Sequence, residues 1–250
     1  VFLYDSSKDK ITHKNVITKE YVNYLEDIDP AICSSIGYTR LIGMNLLRRK
    51  DGKTSPASIA VAFNMGSSNG TSSSSSTSSV TSMSNAGLAS YPESLGNSNE
   101  SYLQKNYDVL SGNYPADVTD IVLVVDKQNR VDYNVLKNIG FQTDNVESLD
   151  FDQIVGTELK LIDNDDYYTK TNMGNFIPRN DYDTMYDSAK SITLKISGIV
   201  RLKSESKIGL LGTGLAYSDK LVSKIAENAD DSEIVKAQRA ADYNVITMVA

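Results

Sequence analysis

The sequence predicts an α+β fold, and three observations carry that prediction. Strand-like and short helical runs are interleaved without the regular βα alternation of a doubly wound sheet. One run, Ile121–Val125, is apolar at every position and needs cover on both faces. Other runs place Lys160, Lys195 and Ser197 between apolar neighbours, as in strands with one wet face. Mixed sheets carrying short helices are therefore expected.

Val1-Phe2-Leu3-Tyr4 opens as if inside a strand. It has no initiator Met, charged n-region or apolar h-region, so it reads as part of a longer protein and not as a signal peptide. Thr18 is an N-cap with Glu20 in the first turn. Val22, Leu25 and Ile28 follow at three-residue spacing up to Asp29-Pro30, which predicts a helix over 19–28. Residues 32–47 are rich in strand formers, interrupted by Gly37 and Gly43. A hairpin is expected from Asn45–Arg49 through Lys50-Asp51-Gly52-Lys53 into Ser58–Phe63, with Asp-Gly supplying positive φ angles. The Ser-rich stretch 66–86 buries too little apolar surface to offset its ordering entropy and reads as a flexible tether.

Beyond it, Glu100–Tyr107 reads as helix and Asp108–Pro115 as a turn-rich link. Asp126–Arg130 turns after the apolar strand. Val135, Leu136 and Ile139 share one face of a helix that Gly140 ends. Phe151–Val155 makes a helical turn before Gly156. Strands follow at Glu158–Ile162, Ile192–Leu202 and Leu215–Tyr217. Terminal helices contain Leu221, Val222 and Ile225, then Ile234, Val235 and Ala237, with Ser232 as a cap. Tyr243–Ala250 is a last β-prone stretch.

Length and composition narrow the function. A chain of 250 residues, 40 % hydrophobic and 23 % charged, can bury a core without a metal or disulfide. Its formal charge of −7 disfavours nucleic acid, whose phosphates need clustered Lys and Arg. No apolar run approaches the roughly 18–20 residues of a membrane span. One cysteine, Cys33, forbids an internal disulfide and a multi-Cys zinc site. One histidine, His13, excludes HExxH zinc centres, His triads and facial-triad iron.

The candidate chemical motifs are weak. Asp163-Asn164-Asp165-Asp166 is the densest carboxylate cluster, but an EF-hand would want Gly and Glu where Tyr168 and Gly174 stand, so a solvated turn is the better reading. Ser7-x-x-Lys10 and Ser204-x-x-Lys207 match SxxK but lack a following Lys-Thr-Gly. Gly209-Leu-Leu-Gly212-Thr-Gly214 follows neither GxGxxG nor the P-loop pattern. His13 lies in a Lys-rich polar loop, and Cys33, in a strand-prone run, reads as a small buried hydrophobe and not a nucleophile. The 15 tyrosines, Tyr167-Tyr168, Tyr182 and Tyr186 among them, could form a recognition surface or simply half-buried sheet and helix positions. No catalytic, cofactor or metal residue is assigned, and no enzyme activity is expected.

One resemblance extends over much of the chain. The run Tyr107-Asp-Val-Leu110-x-Gly112-x-Tyr114-Pro115 precedes Ile121-Val-Leu-Val-Val-Asp126-Lys. Leu136…Gly140, Phe151-Asp-x-Ile154-Val155-Gly156-x-x-Leu159-x-Leu161 and Lys195-Ile-Ser-Gly198-Ile-Val-Arg201 complete it. In order and spacing this resembles the extracytoplasmic MacB-type core domain of FtsX-like ABC transporter permeases, of the Gram-positive kind. Residues 1–49 also resemble the first half of that family's membrane-proximal subdomain.

The resemblance implies a layout: 1–63 as half of a membrane-proximal porter-like subdomain, 64–86 as a Ser-rich loop, 87–242 as an inserted sabre-like subdomain, and 243–250 as a terminal strand, with the second porter half absent. It implies a non-catalytic domain on the extracellular face of a bacterial cell membrane, anchored by transmembrane helices and serving transport or efflux. Its partners would be a cognate cytoplasmic ABC ATPase and a transported substrate or extracellular protein; a homodimeric permease is compatible with the layout. A groove between 1–63 and 87–242, lined by tyrosines, is the expected binding surface. Two alternatives stand beside it: a secreted or surface-anchored adhesin or lipoprotein module, and, more distantly, a surface hydrolase using Ser7 or Ser204.

Overall fold

The computed structural model describes residues 16–29, 31–33, 35–37, 43–57, 88–94, 100–206 and 209–249. Its first elements are α1 (Lys19–Glu26), β1 (Ser35–Ile36), β2 (Leu46–Lys50), β3 (Lys53–Ala57), β4 (Leu88–Tyr91) and β5 (Glu93–Ser94). Next come α2 (Tyr102–Asn106), β6 (Tyr107–Gly112), β7 (Asp120–Val125), α3 (Tyr133–Asn138), α4 (Phe151–Ile154) and β8 (Glu158–Leu161). The chain continues through α5 (Asn164–Tyr167), β9 (Tyr168–Lys170), β10 (Phe176–Pro178), α6 (Tyr182–Tyr186) and β11 (Ile192–Leu202). It closes with β12 (Gly214–Ser218), α7 (Asp219–Asp230) and α8 (Glu233–Ala240). Helices and a large mixed sheet make the fold α+β, as expected.

Eight strands among the described residues form that sheet, in the order β3-β2-β8-β11-β7-β12-β4, with β6 also on β11. β11 organises it. β7 runs parallel along one edge, while β8 and then β6 pair antiparallel with successive halves of the other. The hairpin β2–β3 joins through Leu46↔Leu161 and Leu47↔Lys160, so the sheet takes in strands from both sides of the Ser-rich stretch. That stretch lies outside the described residues, as do Ser7, Lys10, His13 and Lys207.

Alternation along the strands builds two faces. Leu123, Leu159, Leu194, Ile196, Ile199 and Leu215 form the main core, closed by residues of α3, α4 and α7. Val122, Val124, Val200 and Ala216 point the other way, onto Tyr91, Tyr102 and Tyr107. Leu47, opposite Leu46 on β2, meets Ile162 and Met185 in a further patch. Ile196 and Ile199 share a face only because the β11–β7 register slips between Ile196 and Gly198. No side chain fits there. A Cβ on Gly198 would lie 2.4 Å from the Asn113 carbonyl oxygen, and one on Gly112 only 2.2 Å from that of Ser197.

Several expectations hold in detail. Thr18 caps α1 through the Tyr21 N–H, Asp51 and Gly52 turn the hairpin at φ 50° and 75°, and Gly140 ends α3 at φ 84°. Others are corrected. The return strand of the hairpin starts directly after the two-residue turn, at Lys53; residues 58–63 are outside the described set. Asp108–Gly112 is strand, not link, because β11 offers it a free edge. Tyr243–Val249 is folded as turns, not as the expected strand: the Asn244 side chain accepts the N–H groups of Ile246 and Thr247. These Asx bonds curl the backbone, and Val245 packs on Phe176 and Ile234 instead.

Candidate functional site

A cavity of about 330 Å3 opens where the residues before β2 meet the end of β8 and the flank of α7. The β2–β8 pairing is extended by one bond, Ile162 N–H to Asn45 carbonyl at 2.8 Å, and this fixes Asn45 at the rim. Asn45 Nδ2 donates to Asn164 Oδ1 at 3.1 Å, and Asn164 Nδ2 donates to Ser232 Oγ at 3.4 Å. Ser232, 1 % exposed, donates its hydroxyl hydrogen bond to the Ala229 carbonyl at 2.6 Å. This chain of polar contacts ties the approach to β2, α5 and the α7–α8 junction into one wall. Leu161, Ile162, Ile192 and Ile225 supply an apolar floor, Asp163 and Asp230 add carboxylates to the wall, and Lys190 and Asn228 stand beside them. Neither of those two side chains has a partner among the described residues. An apolar floor with amide, ammonium and carboxylate groups around it suits binding of an amphipathic ligand.

The structure spends the carboxylate cluster on folding. Asp163 caps α5 by accepting the Asp165 N–H at 3.0 Å. Asp165 accepts the Glu233 N–H at 2.8 Å, capping α8 from a distance, since the Ser232 side chain makes no cap bond. Asp166 accepts from Ser188 Oγ at 2.6 Å. The expected solvated turn is thus a one-turn helix with three separate contacts. Among the described residues no three His, Cys, Asp or Glu converge as a metal site would require.

The remaining candidates are scattered. Ser204 donates to its neighbour Glu205 in an exposed turn. Cys33 is half-buried and not buried as expected, because it lies before β1 and not within a strand, and it donates to the Ser35 carbonyl at 3.4 Å. In the glycine-rich loop, the Leu210 and Leu211 amides donate to the hydroxyls of Tyr102 and Tyr107, so these N–H groups are not arrayed for a phosphate. Tyr167, Tyr182 and Tyr186 pack around Leu47, Ile162 and Met185, while Tyr168 packs near Phe176. Burial pushes the phenols of Tyr167 and Tyr168 above their ordinary range. None of these tyrosines lines the 330 Å3 cavity.

Sequence reasoning missed Asn45, Lys190 and Asn228, because isolated polar residues far apart in the chain carry no local pattern, and it met Asn164 only as a member of the carboxylate cluster. It also missed a cluster on the neighbouring face. Arg49 bonds Asp187 at 2.7 and 2.9 Å and lies over the Tyr186 ring at 4.3 Å. The Asp187 bond lifts the guanidinium further above its ordinary value and holds the carboxyl below the usual range. Comparison with protein-family models, curated proteins and solved structures finds no match. No helix of the described residues is long and apolar enough to cross a membrane.

Proposed function

We propose that the chain is the extracytoplasmic, non-catalytic domain of an FtsX-like ABC transporter permease of the MacB type. In this reading it captures or senses a substrate or protein partner outside the membrane and couples mechanically to a cytoplasmic ATPase. The observation that carries it is the ordered motif run over residues 107–201. Its glycines fall where the chain has most need of them: Gly112, Gly140 and Gly156 at positive φ, and Gly198 where no Cβ fits. The run therefore reads as one connected folding pattern and not as scattered coincidences. The cavity beside Asn45 is the proposed capture site.

Deleting this domain from the full-length transporter is expected to leave basal ATP hydrolysis in the partner subunit and abolish transport or sensing. Ile225→Trp, which fills the cavity, is expected to do the same in a folded protein. Saturable ATP hydrolysis by the isolated chain would overturn the reading. A gene with no membrane helices flanking this region would point instead to a surface-anchored adhesin or lipoprotein module.

A further inference from the structure

The cavity beside Asn45 holds two opposite charges that the fold leaves unpaired. The antiparallel register of β8 and β11 sets Leu161 against Ile192. Carried two residues further, it brings Asp163 across from Lys190, and both line the cavity. They form no ion pair with each other. The Lys190 ammonium has no partner among the described residues. Asp163 accepts the Asp165 N–H through Oδ1 at 3.0 Å, and its Oδ2 takes no hydrogen bond from a described residue. The third charge on the wall is already met, since Asp230 accepts from Arg239 at 2.7 Å.

Such a pair discriminates among ligands. An anion would meet Lys190 but strip water from Asp163 with nothing in return, and a cation would do the reverse. A neutral molecule would leave both charges uncompensated. A ligand that carries both signs answers both. The floor adds a second demand: Leu161, Ile162, Ile192 and Ile225 favour an apolar body. Asn45 spends its Nδ2 on Asn164, which leaves its side-chain oxygen to accept from an ammonium at the rim. The volume of about 330 Å3 is roughly twice that of a cavity that holds benzene, which sets the ligand at about twelve to fourteen non-hydrogen atoms.

We propose that this cavity binds a free, zwitterionic α-amino acid with a large apolar side chain, of the size of phenylalanine. Its carboxylate meets Lys190, its ammonium meets Asp163, and its side chain lies on the apolar floor. The inference rests on the reading of this cavity as the capture site and gives that site its substrate class.

Calorimetric titration of the full chain at neutral pH tests it, with L-phenylalanine, with phenethylamine, which lacks the carboxylate, and with 3-phenylpropionate, which lacks the ammonium. Saturable one-to-one binding of L-phenylalanine is expected, with each analogue about tenfold weaker for want of one charge-assisted contact. L-Serine, which keeps the charges but has no apolar body, should not saturate the site. Lys190→Gln is expected to collapse the preference for phenylalanine over phenethylamine, and Asp163→Asn the preference over 3-phenylpropionate. Lys190 is exposed, so its variant should melt with the parent. Asparagine is itself a good N-cap, so α5 should survive the second change. Absence of saturable phenylalanine binding, an analogue that binds as tightly as phenylalanine, or a preference that survives its variant would each overturn the proposal. If Asp163→Asn fails to fold, Lys190→Gln decides alone. Such a failure would sink the substrate class and leave the permease reading standing, because that reading is tested by domain deletion and by ATP hydrolysis.

Discussion

The two faces of the sheet are built differently. On one, apolar residues from six strands merge into a continuous core under α3, α4 and α7. On the other, the apolar surface is split in two: a tyrosine-rich patch beneath α2, and a smaller patch around Met185 of α6. Lys160 and Thr193 stand on the second face, bonded at 2.7 Å, and the Arg49 guanidinium lies over Tyr186. Continuous burial draws its stability from area and close packing, whereas the split face mixes smaller burial with hydroxyl and charge contacts whose net worth is small. The first face should therefore dominate the folding free energy.

Substitutions can break that comparison. The largest effect is expected at the seam itself: Gly198→Ala must push the Asn113 carbonyl away and part β6 from β11, at a cost of about 4 kcal/mol in urea unfolding. Gly156→Ala is its control, because a Cβ there meets nothing within 4 Å and only the backbone angle resists, at about 1–2 kcal/mol. Next comes Ile196→Ala in the continuous core, at about 3 kcal/mol, against about 2 kcal/mol for Val124→Ala on the split face. If the second matches or exceeds the first, the ranking of the faces is wrong.

The tyrosines sharpen the contrast through pH. Burial pushes Tyr217, in the continuous core, up to about 12, and pushes Tyr91 and Tyr107, on the split face, upward as well. An unfolded tyrosine ionises near 10. The neutral phenols thus favour the folded state fully below that pH, and the contribution is lost as pH rises through the folded values. Stability should be insensitive to these groups at neutral pH and fall from about pH 10 to 12. Absorbance at the phenolate band, followed alongside circular dichroism, should show these rings ionising late and with unfolding. The smallest effect belongs to the exposed ion pair: Asp187→Asn should barely move the urea midpoint, and less still in high salt.

Much of the fold was legible because it rests on local signals. Thr18, Asp51-Gly52, Gly140 and the all-apolar Ile121–Val125 each specify their own structure through a cap, a turn, a stop or a need for cover. What was hidden depended on partners elsewhere. Val109 and Leu110 became strand because β11 had an open edge. Asn244 turned the last residues because its side chain bonded the local backbone more readily than a sheet could. The candidate site was the least legible part. Its asparagines come from segments joined only by the finished sheet, and the tyrosines that suggested a recognition surface went into packing.

The strand pairings also set an order of assembly. Hairpin β2–β3 closes across two residues, and β9–β10 is nearly as local. Leu88 of β4, by contrast, finds its parallel partner in Leu215 of β12, which itself must dock on β7. The entropy of closing such long loops is met only when the far strand arrives, so β4 joins late in folding and the search is slow. An edge strand that arrives late is also one that departs early. Local opening at β4 should expose the backbone of β12 before the centre of the sheet yields, leaving β7 and β11 as the last region to exchange its amide hydrogens.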